Sequence, residues 1–309
     1  MKRSGKSGFS PVALQHIYHR AKDKGVIFYT LEDRLVYYTL AATKTKAAGA
    51  VIYAASIMFT HIHMGGTFPS LNGMSCCLRD IDTSFARMYN LRYGRKGRLF
   101  EKEPGSSQKT YPKQQRSCVI YIINNHVEKG LCEKAGQERW SFLAYAFSDH
   151  PFSEEVNTKT MSATLRKAFR LVDRRVAKNS PFKYEDLDRI LPNLNETETE
   201  QFVDYVISRY ALINYDAAIS LFGSLEKLQE AVNSTTGSDF DIREDFSGPK
   251  DTPYVTLCNL GKQEGWLGRV QAMSGDEKFA RIVQLLHIRG MTEEILKKFF
   301  HLEFKVVRR

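Results

Sequence analysis

A chain of 309 residues, 42% hydrophobic and 26% charged, has the balance of a soluble globular protein and more length than one ordinary core absorbs, so two domains are expected, 1–150 and 151–309. No apolar run reaches bilayer-spanning length, the basic start MKRSGKSGFS leads into no apolar stretch, and five cysteines in no paired-ligand pattern argue against a disulfide framework or a structural zinc; the expectation is a cytoplasmic protein with reduced thiols and no membrane partner. The net charge of +10 is uneven, with 22 Lys+Arg against 11 Asp+Glu in residues 1–150 and 23 against 24 in the rest, so the first part calls for a polyanionic partner, nucleic acid before membrane.

Leu14 to Arg20 alternates as a strand with His16, Tyr18 and Arg20 on one side, and His16 and His19, on opposite faces, read as strand residues rather than ligands. Thr30 offers an N-cap to a helix running to about Lys46, with Asp33 three residues on. Val51 to Met58 is a buried strand, and His61 opens the strand that turns back beside it. Residues two apart share a strand face, so His61 and His63 look one way while Ile62 enters the core. Such a pair is either half of a divalent-metal site or two satisfied strand histidines. After Pro69, Leu71, Met74, Leu78, Ile81, Phe85 and Met88 form the stripe of a helix stopped at Gly94.

The segment from Arg87 to Arg98 interleaves cations with tyrosines. Arg87, Arg92, Arg95, Lys96 and Arg98 could follow the phosphates of a single strand while Tyr93 stacks on a base; a solvated basic turn is the plainer alternative. A fourth strand is expected to begin at Leu99-Phe100, completing a βαββαβ order. In the next helix, over about 114–129, Asn125 lies about 40° from Tyr121 on the helical wheel, and the apolar arc of Val119, Ile120, Ile122, Ile123 and Val127 is expected to face the sheet. Tyr121 and Asn125 would then share the side away from it, as neighbours one turn apart.

The blocks HIYHR, HIH, YGRKGRLF, YIINNHVEKGL and RWSFLAY, in that order, resemble the REP-associated tyrosine transposases, relatives of the single-tyrosine insertion-sequence transposases of the HUH nuclease class, over residues 14–147. The resemblance implies an α+β fold: a ferredoxin-like antiparallel sheet with helices on one face, followed by an all-α C-terminal domain. It makes Tyr121 the nucleophile, and His61, His63 and Asn125 the ligands of Mg²⁺ or Mn²⁺. The implied partner is single-stranded or hairpin DNA, and a homodimer is left open. Attack would leave a 5′-phosphotyrosyl strand and a free 3′-hydroxyl. Two positions depart from the family pattern: Phe59-Thr60 stands where a Pro-Asn pair is usual, and Asn125-His126-Val127 replaces Asn-Pro-Val. A domesticated, non-cleaving DNA-binding protein of the same fold and a replication-initiator or relaxase-type HUH nuclease are the alternatives.

Beyond residue 150, helical spacing recurs over 162–178, 196–213, 214–222 and 224–233, with cap positions at Thr197 and Ser224, and 234–253 reads as a linker. From Asp276, Phe279, Ile282, Val283 and Leu286 share a face, and a short turn leads to a last helix ending near His301. This spacing suits a helix-turn-helix over 276–301, with Lys297, Lys298, Lys305, Arg308 and Arg309 adding charge, or plain packing helices.

Overall fold

The computed structural model describes residues 8–101, 104–234 and 250–302, and over these the chain is a mixed α+β protein with one four-stranded antiparallel sheet and eleven α-helices. The strands are β1 (Leu14–Arg20), β2 (Val51–Ile57), β3 (His61–Thr67) and β4 (Gly105–Lys109), in the order β2-β3-β1-β4. Their register sets Tyr18 opposite His63 and Arg20 opposite His61. The fourth strand begins later than Leu99-Phe100, where only an isolated Ala21–Phe100 bridge forms. Its GSSQK sequence has no apolar alternation, and pairing with β1 defines it.

Two helices, α1 (Leu31–Ala47) and α2 (Leu71–Arg92), cover one face, where Ile17, Ile62 and Met64 meet Leu35, Leu78 and Ile81. Thr30 caps α1 in a capping box with Asp33, as its spacing requires. The α2 stripe holds from Met74 to Phe85, but Leu71 is exposed. Helix α3 (Pro112–Glu128) lies on the opposite face, so helices flank both sides of the sheet rather than one.

The apolar core does not stop at residue 150. Helices α4 (Ala163–Ala177), α5 (Tyr184–Ile190) and α6 (Glu196–Tyr210) share one cluster with α1 and α2 through Phe169, Leu187 and Phe202. On α1, Asp33 is a buried junction. Its carboxylate accepts from the backbone amides of Tyr29 and Thr30 at 3.0 Å and from the hydroxyls of Tyr93 at 2.9 Å and Tyr184 at 2.8 Å. Burial pushes this carboxyl up to about 6. Asp33→Ala strands these donors in the core and is expected to cost about 3–5 kcal/mol, read as a lowered urea midpoint. Because the folded value lies above the unfolded one, the carboxyl's own titration contributes stability that is full below about pH 4 and lost as pH rises through about 6, so the gap between wild type and variant should narrow across that window.

The remaining helices are α7 (Tyr215–Ser220), α8 (Leu225–Ser234), α9 (Thr252–Gln263), α10 (Gly275–Leu285) and α11 (Glu293–Phe300). Asn195, not Thr197, caps α6, while Ser224 accepts from Lys227 N at the start of α8. On α10, Ile282 and Leu285 are buried, whereas Phe279 is 48% and Val283 45% exposed, so the expected apolar face is split. Helix α11 is spent on packing: Ile295, Leu296, Phe299 and Phe300 join a second core with Val26, Tyr29 and Phe59. Most of the expected linker, 235–249, lies outside the described residues, as do Lys305, Arg308 and Arg309. Among the described residues no helix is long and apolar enough to cross a membrane, and all five cysteines are free.

Candidate active site

The pleat decides which side chains meet. Alternation sends Ile62 and Met64 toward α1 and α2 and turns His61, His63 and Gly65 to the α3 face, where β1 contributes His16, Tyr18 and Arg20. His61 and His63 are edge-to-face with centroids 5.0 Å apart. Tyr121 of α3 stands edge-on to His63 at 5.5 Å and to His16 at 5.6 Å. Three of the four residues taken for chemistry therefore share one enclosed space between sheet and helix. The fourth, Asn125, is buried one turn further along α3 and donates from Nδ2 to the Tyr121 carbonyl at 3.0 Å.

Tyr121 and Asn125 do not lie on a side away from the sheet: Tyr121 is 0% and Asn125 2% exposed. The apolar arc was expected to take the sheet for itself, but α3 is covered all round. Leu14 and Ala54 of the sheet share its apolar cluster with Leu228 and Val232 of α8, and Asn124 Nδ2 donates to the Val232 carbonyl at 2.9 Å. With both sides buried, amphipathicity could not say which residues meet the strands. Gly65 permits the close approach, since a Cβ there would stand 2.9 Å from Ile122 Cδ1.

His16 is the residue that sequence reasoning missed. Its Nε2 lies 3.0 Å from His63 Nδ1, and its ring stacks on that of His63 at 5.2 Å. The parity of β1 already placed it on the face of Tyr18 and Arg20; its relation to His63 needed the β1–β3 register. His19, on the other face, pairs with Asp82 at 2.8 Å.

The two departures from the family pattern have local roles. Thr60 Oγ1 lies 2.9 Å from His61 Nδ1, and Phe59 packs in the second core under the Arg34 guanidinium. His126 Nε2 lies 3.3 Å from the Ile57 carbonyl, tying the end of α3 to β2.

Burial first, then the neighbouring His63, Arg20 and Lys129, holds His61 well below the ordinary imidazole range; burial, then Arg20, His126 and Lys129, pushes His63 down to about 3. Both rings are neutral at physiological pH, the form that binds a metal. Each also has Nδ1 engaged, by Thr60 or His16, the second partner that orients a ligating histidine. Among the described residues no group of three or more His, Cys, Asp or Glu could hold a metal ion. Two neutral imidazoles supply at most two donors, so a divalent ion there would need further oxygen ligands, and Arg20 and Lys129 would favour an anionic one.

The basic segment after α2 divides. Tyr93 is buried, its hydroxyl committed to Asp33, so it is no base-stacking platform. Arg92 bonds Asp188 at 2.6 Å and lies over the Tyr184 ring, which removes it from a DNA-facing set. Arg95 bonds Asn90 Oδ1 at 2.8 Å beside the Tyr89 ring. Arg87, Lys96 and Arg98 remain exposed. An unforeseen aromatic candidate is Tyr18, 40% exposed on the α3 face, whose ring lies over Gly105.

No family model matches the chain, and no curated protein matches it. A solved structure of the REP-associated tyrosine transposase bound to a REP hairpin is similar at 14% sequence identity over 53% of this chain and 96% of that one, with a TM-score of 0.40.

Proposed function

We propose that the chain is a metal-dependent single-strand DNA endonuclease and strand transferase of the single-tyrosine transposase type, built on a ferredoxin-like HUH domain and acting on hairpin DNA. One observation carries the reading: Tyr121, His63, His61 and His16 converge between β1, β3 and α3. The strand order, equivalent to 4-1-3-2, supports the ferredoxin-like assignment.

A phenol that ordinarily titrates near pH 10 is a poor nucleophile at neutrality, so the site must make phosphorus more electrophilic. His61, His63 and Asn125 would hold Mg²⁺ or Mn²⁺, which would supply Lewis-acid polarisation of the phosphate oxygens. The Tyr121 oxygen forms a bond to phosphorus, the bond from phosphorus to the 3′ oxygen breaks, and the phenol proton ends on the released 3′-hydroxyl. One phosphate ester replaces another, so the step reverses and joins strands without ATP. Arg20 and Lys129 attract the strand, and Arg87, Lys96 and Arg98 extend that attraction along it.

Incubation of the full chain with labelled hairpin-bearing single strands and Mn²⁺ should yield a protein–DNA band that survives denaturant. A second reading, a non-cleaving DNA-binding protein of the same fold, is favoured by the complete enclosure of Tyr121 and by the hold of α8 on α3. It requires hairpin binding with no such band.

The reading makes Gly65 a spacing residue. Gly65→Val sets a branched side chain against Ile122, which is itself fully buried. Overpacking of this kind costs about 1–3 kcal/mol, and a shift of about 1 Å between Tyr121 and the histidines can cost on the order of 100-fold in rate. Single-turnover adduct formation beside a melting curve checks both numbers; an unchanged rate would mean that Gly65 does not set the spacing.

A further inference from the structure

The region beyond residue 150 is close to neutral in sum, with 23 Lys+Arg against 24 Asp+Glu, and its charge is sorted in space. Residues 163–178 hold six cations and a single acid, Asp173. Lys167, Arg170, Arg174 and Lys178 recur at the three-four spacing that lines one face of α4, and all four are exposed. The opposite face buries Leu165, Ala168, Phe169 and Val172 against α6.

Two of the nearby acids are engaged elsewhere. Asp173 bonds Arg209 and the Tyr205 hydroxyl, both at 2.9 Å, and Asp188 bonds Arg92. Between α4 and α5 runs a groove of about 750 Å³ lined by Lys167, Arg174, Arg175 and Arg189. Its single lining carboxylate, Asp186, has both oxygens 2.7 Å from Arg175 Nη2. Among the described residues, no carboxylate lies within salt-bridge distance of Lys167, Arg170, Arg174, Lys178 or Arg189.

We propose that the exposed cationic face of α4, with the α4–α5 groove beside it, is a second nucleic-acid surface, which takes the phosphate backbone of duplex DNA without reading its bases. Four cations on one helix face, stepping about 4.5–6 Å along the axis, match a row of phosphates. No large hydrophobic side chain is exposed between residues 163 and 193, so stacking on the bases of a single strand has no platform there. The same absence argues against a membrane, which an amphipathic surface enters by apolar wedges. Helix α4 lies on α6 and α6 on α1, across the sheet from α3, so the groove and Tyr121 face different sides. The proposal does not rest on the cleavage reading.

The test uses the full chain and a hairpin-free 20-base-pair duplex, with affinity measured against salt. Lys167→Gln/Arg170→Gln/Arg174→Gln removes three exposed charges, together with one surface hydrogen bond from Arg174 Nε to the Arg170 carbonyl at 3.3 Å. The slope of log affinity on log salt should fall by about 2 to 3, with affinity on the order of 100-fold weaker at 0.1 M salt. Lys167→Arg/Arg170→Lys/Arg174→Lys should keep the slope. Adduct formation on a short single strand, read separately, should not change in either variant, so failure here and failure of the cleavage reading are distinguishable. An unchanged duplex slope in the Gln variant overturns the proposal. So does a variant that keeps duplex binding and loses binding to phosphatidylserine vesicles, which would make the groove a lipid-headgroup surface.

Discussion

Tyr121→Phe is expected to abolish the denaturant-stable adduct, lowering its rate of formation by at least about 10⁴-fold, while hairpin affinity stays within a factor of a few. The substitution removes one oxygen and keeps the ring, so the edge-on contacts with His16 and His63 persist. Loss of a buried hydroxyl's hydrogen bonding costs about 0.5–1.5 kcal/mol, which a melting curve resolves from unfolding. An adduct that persists would send the assignment to another tyrosine. Tyr145 is a poor substitute, being buried with its hydroxyl on Asp204 at 2.6 Å. Tyr111 is 68% exposed at the start of α3 and would be the residue to change next.

What could be read from the sequence follows the range of the interactions that decide each element. The capping box of α1, the α2 stripe from Met74 to Phe85 and the two faces of β3 are set by neighbours within about a turn or a pleat, and each is found where its spacing put it. Tyr93 is different. Within its own segment it is an aromatic among cations, and only Asp33 and Tyr184, distant in the chain, convert it into a core residue. Arg92 misleads for the same reason, since its partner Asp188 belongs to a helix no local pattern connects to it. On α3 both sides are buried, so the apolar arc could not tell sheet from α8. His16 needed a strand register, which follows from pairing and not from either strand alone.

The same long-range contacts determine what a fragment can do. A chain ending near Asp149 keeps Tyr121, His61, His63 and Asn125, yet it is expected not to fold. Three surfaces lose their cover at once. On α1, the Tyr38 hydroxyl donates to the Ile207 carbonyl at 2.8 Å, Thr39 Oγ1 accepts from Phe182 N at 3.1 Å, and Asp33 loses Tyr184. On α3, Leu228 and Val232 leave the outer arc, and the last carbonyls lose Lys250 Nζ, Asp251 N and Thr252 Oγ1. Around Val26 and Tyr29, the second core loses Leu257, Trp266, Phe299 and Phe300. Each large side chain re-exposed forfeits about 1.5–3 kcal/mol, and the total over these surfaces exceeds the roughly 5–15 kcal/mol that holds a domain together. Residues 1–149 should therefore be insoluble or lack a cooperative urea transition, and should give no adduct although the candidate residues are present. A soluble fragment with a sharp transition and wild-type adduct yield would show that the first 149 residues carry a self-sufficient core, and that the helices beyond them only rest on it.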